Sequence, residues 1–113
     1  MSNDKKLKPE ISNVLLLDFY GQLLTEKAYE ISDLQINEDM SLSEIAENLG
    51  ITRQAVHDSL RRTLKVLKVY EDKLGLAERF LGQRKTATDA LANLEAGDLK
   101  AAKDELLKLI ETI

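Results

Sequence analysis

Between Ser41 and Leu67 the chain is punctuated in a way that leaves little freedom of fold. Ser41-Leu42-Ser43-Glu44 is a capping box, in which Ser41 and Glu44 can satisfy each other's orphan donors at a helix start. Leu42, Ile45, Ala46 and Leu49 follow at i, i+3, i+4 and i+7, one apolar helix face. Gly50 stands where that helix must stop and can take the left-handed backbone such a stop favours. Thr52 caps a second helix, with an inward stripe of Val56, Leu60, Leu64 and Leu67. Ala46 is small where the second helix has to cross, and Val56 is a branched residue to bury against the first. Ile45, Leu49 and Ile51 complete the core between them. Those are the requirements of a helix-turn-helix, and caps, glycine and both stripes agree on it.

The flanking sequence is helical too. Residues 1–8 are expected to be a disordered tail, and Pro9 suits a first helical turn, where its missing N–H costs nothing. From Glu10 onward Ile11, Val14, Leu15, Leu17, Phe19, Leu23 and Leu24 predict a first helix, with Gly21 weakening its interior by about 1 kcal/mol relative to Ala. Thr25 caps a second helix, which carries Tyr29, Ile31, Leu34 and Ile36 and ends at Asn37-Glu38-Asp39. The helix that starts after Thr52 should continue to Leu74, with Gly75 as its break. Beyond it, Leu76, Phe80, Leu91 and Leu94 suggest one helix or two joined near Gly82. Gly97-Asp98 is a stop and a cap before a last amphipathic helix of Leu99, Ala102, Leu106, Leu109, Ile110 and Ile113. The expectation is an all-α protein of six or seven helices. Residues 9–75 would form the helix-turn-helix domain, and 76–113 a helical extension offering a dimer surface.

Composition excludes several classes. The chain has 113 residues, enough for one domain with a modest core, and no cysteine, so neither a disulfide framework nor a thiolate metal site is available. No run approaches the roughly 18 apolar residues of a membrane span. The polar start Met1-Ser2-Asn3-Asp4-Lys5-Lys6 is followed by no signal-peptide hydrophobic region. A soluble cytoplasmic protein is the expectation. Its carboxylates fall into no arrangement with a nucleophile, a Gly-rich phosphate loop or a metal cluster. Neither an enzyme nor a cofactor is therefore expected.

Net charge is −4, but its distribution is uneven. Arg53, Arg61, Arg62, Lys65 and Lys68 face a single acid, Asp58, so residues 53–68 carry +4 and the remainder −8. A basic stripe on an acidic body is a plausible electrostatic footprint for a polyanion, because phosphate contact depends on local potential. Arg53, His57, Arg61, Lys65 and Lys68 recur at helical intervals and form one row; Gln54, Asp58 and Arg62 form its neighbour. Recognition helices turn their N-terminal residues to base edges and use basic residues for phosphates. On that geometry Thr52, Arg53, Gln54, His57 and Asp58 face a groove, while Arg61, Arg62 and Lys65 anchor phosphates.

Plainer explanations exist for each feature. A basic helix face is often only a solvated one, and Asp58 and Arg62 are spaced to pair on the surface. His57, the sole histidine, has no second histidine or cysteine with which to share a metal and reads as an exposed polar residue. Tyr20, Tyr29 and Tyr70 are expected in the core rather than as stacking platforms for bases.

The runs Asp18-Phe19-Tyr20-Gly21-Gln22-Leu23-Leu24-Thr25-Glu26-Lys27, Met40-Ser41-Leu42-Ser43-Glu44-Ile45-Ala46-Glu47 and Thr52-Arg53-Gln54-Ala55-Val56-His57-Asp58 resemble the YlxM family of small bacterial helix-turn-helix proteins. The resemblance covers about residues 12 to 74. The same region is similar to region 4 of bacterial sigma factors, which reads promoter DNA with a helix-turn-helix. The first resemblance implies a cytoplasmic protein linked to the signal recognition particle pathway. Its ligand would be DNA, the particle's RNA or the particle's GTPase. The sequence departs from the pattern at Ala28-Tyr29-Glu30-Ile31, where a more polar helix start is expected, and after Gly75. Useful affinity from so acidic a chain would call for a homodimer.

Overall fold

The computed structural model describes residues 11–113, and Ser12 opens its first helix. The Ser12 hydroxyl accepts from the Leu15 amide at 3.2 Å, and α1 runs Asn13–Tyr20. Apolar spacing alone places that start near Glu10; Ser12 moves it, because it supplies the missing acceptor. Pro9 and the expected tail lie outside the described residues. A 3₁₀ turn, Gly21–Leu23, then leads into extended backbone at Leu24. α2 spans Glu26–Ile36 behind the Thr25 cap, and the one buried hydroxyl on it, Ser32, donates to the Ala28 carbonyl at 2.8 Å.

Gly21 has a different role from the one its helical setting suggests. A Cβ there would lie 2.8 Å from Tyr29 Cε1 and 3.3 Å from Leu17 Cδ1, so the glycine makes room for neighbouring side chains. Tyr29, expected in the core, is 41% exposed, with its ring beside Gly21 at the surface. Tyr20 is buried as expected, and its ring centroid lies 5.9 Å from that of Tyr70.

α3 (Leu42–Leu49) and α4 (Arg53–Leu74) follow. Two clusters of buried side chains hold this part together. Ile31, Ile45, Ala46, Val56 and Leu60 join α2, α3 and the first half of α4, with Leu34, Met40, Leu42, Leu49 and Ile51 around them. Leu16, Leu17, Tyr20 and Leu67 join α1 to the second half of α4. α4 belongs to both, at about 33 Å for its 22 residues.

α5 (Leu76–Glu95) is a single helix through Gly82, and α6 (Leu99–Thr112) begins at the Asp98 cap, whose Oδ1 accepts from the Ala101 amide at 3.0 Å. Six α-helices and no strand therefore make up the described residues, an all-α fold. The chain divides into two compact units, one reaching to Ala77 and one covering Glu78–Ile113. In the second unit α5 and α6 form an antiparallel hairpin. Arg79 Nη2 near the start of α5 donates to the Thr112 carbonyl at the end of α6, at 3.0 Å, and Gln83 Nε2 reaches the same oxygen at 3.3 Å. Ala90 and Ala102 are its buried residues, whereas Leu99, Leu106 and Ile110 on α6 and the following Ile113 are exposed.

Gly50 has φ +68° with no atom within 4 Å of an added Cβ, so only backbone strain opposes a side chain there. Gly50→Ala should cost about 1 kcal/mol of the first unit's stability. Gly82, in ordinary helical backbone and equally open space, should behave oppositely. Gly82→Ala is expected to stabilise the hairpin by about 0.5–1 kcal/mol. Urea denaturation of both variants against the parent checks the pair.

Candidate nucleic-acid interface

The helix pair is built by local hydrogen bonds that the sequence dictates. At the start of α3 the Glu44 amide donates to Ser41 Oγ at 3.1 Å, and the Ser41 amide donates to Glu44 Oε1 at 2.8 Å. Those bonds to Ser41, backbone first, hold the Glu44 carboxyl below its ordinary range. At the other end Gly50 takes the left-handed conformation, and the amides of Gly50 and Ile51 both donate to the Ala46 carbonyl. Only Ile51 and Thr52 separate the glycine from α4. Thr52 Oγ1 accepts from the Ala55 amide at 3.0 Å, which starts the helix at Arg53.

With Val56, Leu60 and Leu67 turned into the core, the opposite side of α4 is set. Arg53, His57, Arg61, Lys65 and Lys68 are all exposed along it, beside Gln54, half-exposed Asp58 and Arg62. Asp58, Arg61, Arg62 and Lys65 together line a shallow depression of about 280 Å³. Three cations and one carboxylate in so small a space make it attractive to an anion, with Asp58 opposing.

The side-chain contacts of Asp58 differ from the simplest expectation. Its Oδ1 accepts from Gln54 Nε2 at 2.9 Å and lies 3.6 Å from His57 Nδ1, so it turns back along α4 rather than on towards Arg62. Spacing of four residues was available in either direction, and the neutral amide takes the bond. Thr52 is engaged as the cap, which uses a lone pair of its hydroxyl and leaves its proton free to donate. His57 is half-exposed, and no metal-holding group of residues occurs among the described residues. No described helix is long and apolar enough to cross a membrane.

A second polar group lies at the far end of α4, where local sequence gives no sign of it. The Tyr20 hydroxyl donates to Glu71 Oε1 at 2.5 Å and accepts from the Leu76 amide at 3.1 Å. The same Glu71 oxygen accepts from the Ala77 amide at 3.0 Å. A phenol from α1 and a carboxylate from α4 thus cap the first turn of α5 across 51 residues of sequence.

The family described as "Putative helix-turn-helix protein, YlxM / p13 like" matches residues 7–110. The chain belongs to this family. The match reaches well beyond the segment 12–74 that carries the resemblance, and takes in α5 and most of α6. A UPF0122 protein of Acetivibrio thermocellus is 44% identical over 99 residues, covering 88% of this chain and 85% of that protein. One of Desulforamulus reducens is 42% identical over 104 residues, covering 86% and 89%. In Clostridium kluyveri the identity rises to 53% over 64 residues, 57% of this chain. The family is described by its helix-turn-helix, and a fold of this type suggests nucleic-acid binding.

Burial raises the pKa of the Tyr20 phenol, and its bond to the Glu71 carboxylate adds to the effect. The folded state therefore binds this proton more tightly than the unfolded chain. Its contribution is complete below about pH 10 and is lost as pH rises through the raised value. Tyr20→Phe should cost about 1–2 kcal/mol at neutral pH and flatten the alkaline limb of the stability profile. Urea midpoints taken between neutral and strongly alkaline pH read both effects. A limb as steep in the variant as in the parent would refute the assignment.

Proposed function

We propose that this chain is a regulatory DNA-binding protein that reads a major groove with the first half of α4. The observation that carries the proposal is the exposed row Arg53, His57, Arg61, Lys65 and Lys68 on the outward side of a glycine-turned, doubly capped helix pair. Arg53 and Gln54 are in the first turn, the part of a recognition helix that meets base edges. Arginine can contact guanine O6 and N7 together, and glutamine can contact adenine N6 and N7, each for about 1–3 kcal/mol of discrimination. Asp58 assists Gln54: it holds one amide proton of Nε2 and leaves the second proton and Oε1 for the base. Thr52 and His57 flank them as further donors, while Arg61, Arg62 and Lys65 take phosphates.

A local charge of +4 on an acidic chain supplies few phosphate contacts, so a homodimer is part of the proposal. The exposed Leu99, Leu106 and Ile110 on α6 and the following Ile113 are the surface we assign to it. Similarity to sigma factor region 4 supports docking of α4 in the groove, and similarity to the YlxM family supports a cytoplasmic setting in the signal recognition particle pathway. The particle's RNA or GTPase are the other ligands that setting offers. A-form RNA has a major groove too deep and narrow for α4, so on RNA the row would meet backbone alone.

Competition between duplex DNA and the particle's RNA, run at several salt concentrations, tests the assignment. Arg53→Ala and Gln54→Ala should each weaken selected duplexes by about 10- to 100-fold and relax their sequence preference. Arg61→Ala or Lys65→Ala should weaken all duplexes alike and lower the salt slope by about one. Binding confined to RNA and indifferent to Gln54 would overturn the DNA assignment; binding to neither would leave a protein ligand. Sedimentation of the parent and Ile110→Asp reads the dimer, which the substitution should dissociate.

A further inference from the structure

α4 has a third side, between the core stripe and the basic face, on which Thr63 is buried and Val66 exposed. Ala55, Ser59, Thr63 and Val66 follow one another along it at helical spacing, ending at Tyr70. Opposite them stand Leu23 and Leu24 from the 3₁₀ turn and its extended exit, Ala28 and Ile31 from α2, and Ile51 from the turn before α4. Ala55, Ser59 and Thr63 are small side chains, and Leu24 opposite them is in extended backbone. A groove of about 600 Å³ is left, with Leu23 56% and Val66 40% exposed. Large apolar side chains in open contact with water along a concave surface are the mark of an interaction site.

The dimensions and charge of the groove select its occupant. From Ala55 to Tyr70 it follows α4 for about 22 Å, the length of about four helical turns. Its floor is apolar, and its charged residues are Lys27 on one bank and Arg62 on the other; no acidic side chain is among the described residues lining it. Two cations with an apolar floor between them suit a helix that presents leucine-type side chains inward and carboxylates along both edges. A nucleic acid would find too few cations here and no stacking surface beyond Tyr70. The exposed helix of a second copy fits poorly as well, because residues 99–113 carry three lysines and three acids, with no net charge to complement the banks. From these features we infer that the groove between α2 and α4 docks an acidic amphipathic helix of a partner protein. The inference does not rest on the nucleic-acid assignment: Leu23, Lys27 and Val66 lie outside the basic row, and Arg62 alone lines both surfaces.

The test uses the full chain, labelled for amide NMR, and two synthetic helical peptides of about 15 residues. Both carry leucines at i, i+3, i+4 and i+7; one has glutamates along its edges, the other lysines. The acidic peptide should shift amides at Leu23, Ala28, Ala55, Ser59 and Val66, and bind about tenfold more tightly than its lysine counterpart, the size of two exposed charge pairs. Val66→Asp should abolish the shifts. Lys27→Glu, at an exposed position, should remove most of the preference between peptides. Duplex DNA affinity should stay within about twofold in Lys27→Glu. Equal affinity for the two peptides, binding of neither, or shifts centred elsewhere would overturn the inference. So would concentration-dependent shifts at these residues without peptide, which would make the occupant a second copy. Shifts of the same amides by duplex DNA would give the groove to the nucleic-acid site instead.

Discussion

Val56, Leu60 and Leu67 lie on one side of α4, and α1, α2 and α3 all pack against that helix along its length. Val56 and Leu60 close the cluster with α2 and α3, and Leu67 closes the one with α1. Each fully buried aliphatic side chain contributes about 1.5–3 kcal/mol, so neither cluster of four or five residues is large against the entropy it must offset. They are stable together because a single rigid helix shares them. The outward side of α4 inherits that rigidity. Arg53 and Gln54 occupy its first turn, ahead of the upper cluster, and Arg61 to Lys65 lie between the two. A row of cations on a helix fixed at both ends keeps its spacing, and that spacing is what positions such side chains against a regular array of phosphates.

The lower end of α4 is secured by polar contacts as well as by Leu67. Tyr20 packs its ring against Tyr70 and directs its hydroxyl to Glu71, and the two polar groups take the free amides of Leu76 and Ala77. A carboxylate at a helix N-terminus also faces the positive end of the helix dipole. One pair of side chains thus terminates α4, ties it to α1 and starts α5. Gly75, in left-handed backbone, ends α4 and donates its amide to the Glu71 carbonyl.

What could be read from sequence divides by the distance over which each cause acts. Ser41, Glu44, Gly50 and Thr52 act on backbone groups within about four residues, so their hydrogen bonds and the bounds of α3 and α4 follow from spacing alone. Ser12 is the same kind of signal, obscured by Pro9 and the apolar residue Ile11 before it. Gly21 and Tyr29 are different. Whether a glycine is a weakness or a clearance depends on which ring arrives beside it, and that is fixed by the angle between α1 and α2. The Tyr20–Glu71 bond depends on the whole path between them. On the outward face, every basic residue was legible because helical period and core stripe together dictate exposure. The partner of Asp58 was not, since Gln54 and Arg62 are equidistant from it in sequence.

The three sides of α4 also explain how an acidic chain can carry a basic face. At physiological ionic strength charges farther apart than about 8 Å are largely screened. The −8 of the remaining residues weighs on the field close to Arg53, Arg61 and Lys65 only where its carboxylates lie within that distance. Arg62 sits where two of the sides meet, lining both the shallow basic depression and the apolar groove. A carboxylate in the groove and a phosphate on the row would compete for the same guanidinium, whose planar fork can serve one of them bidentately but not both.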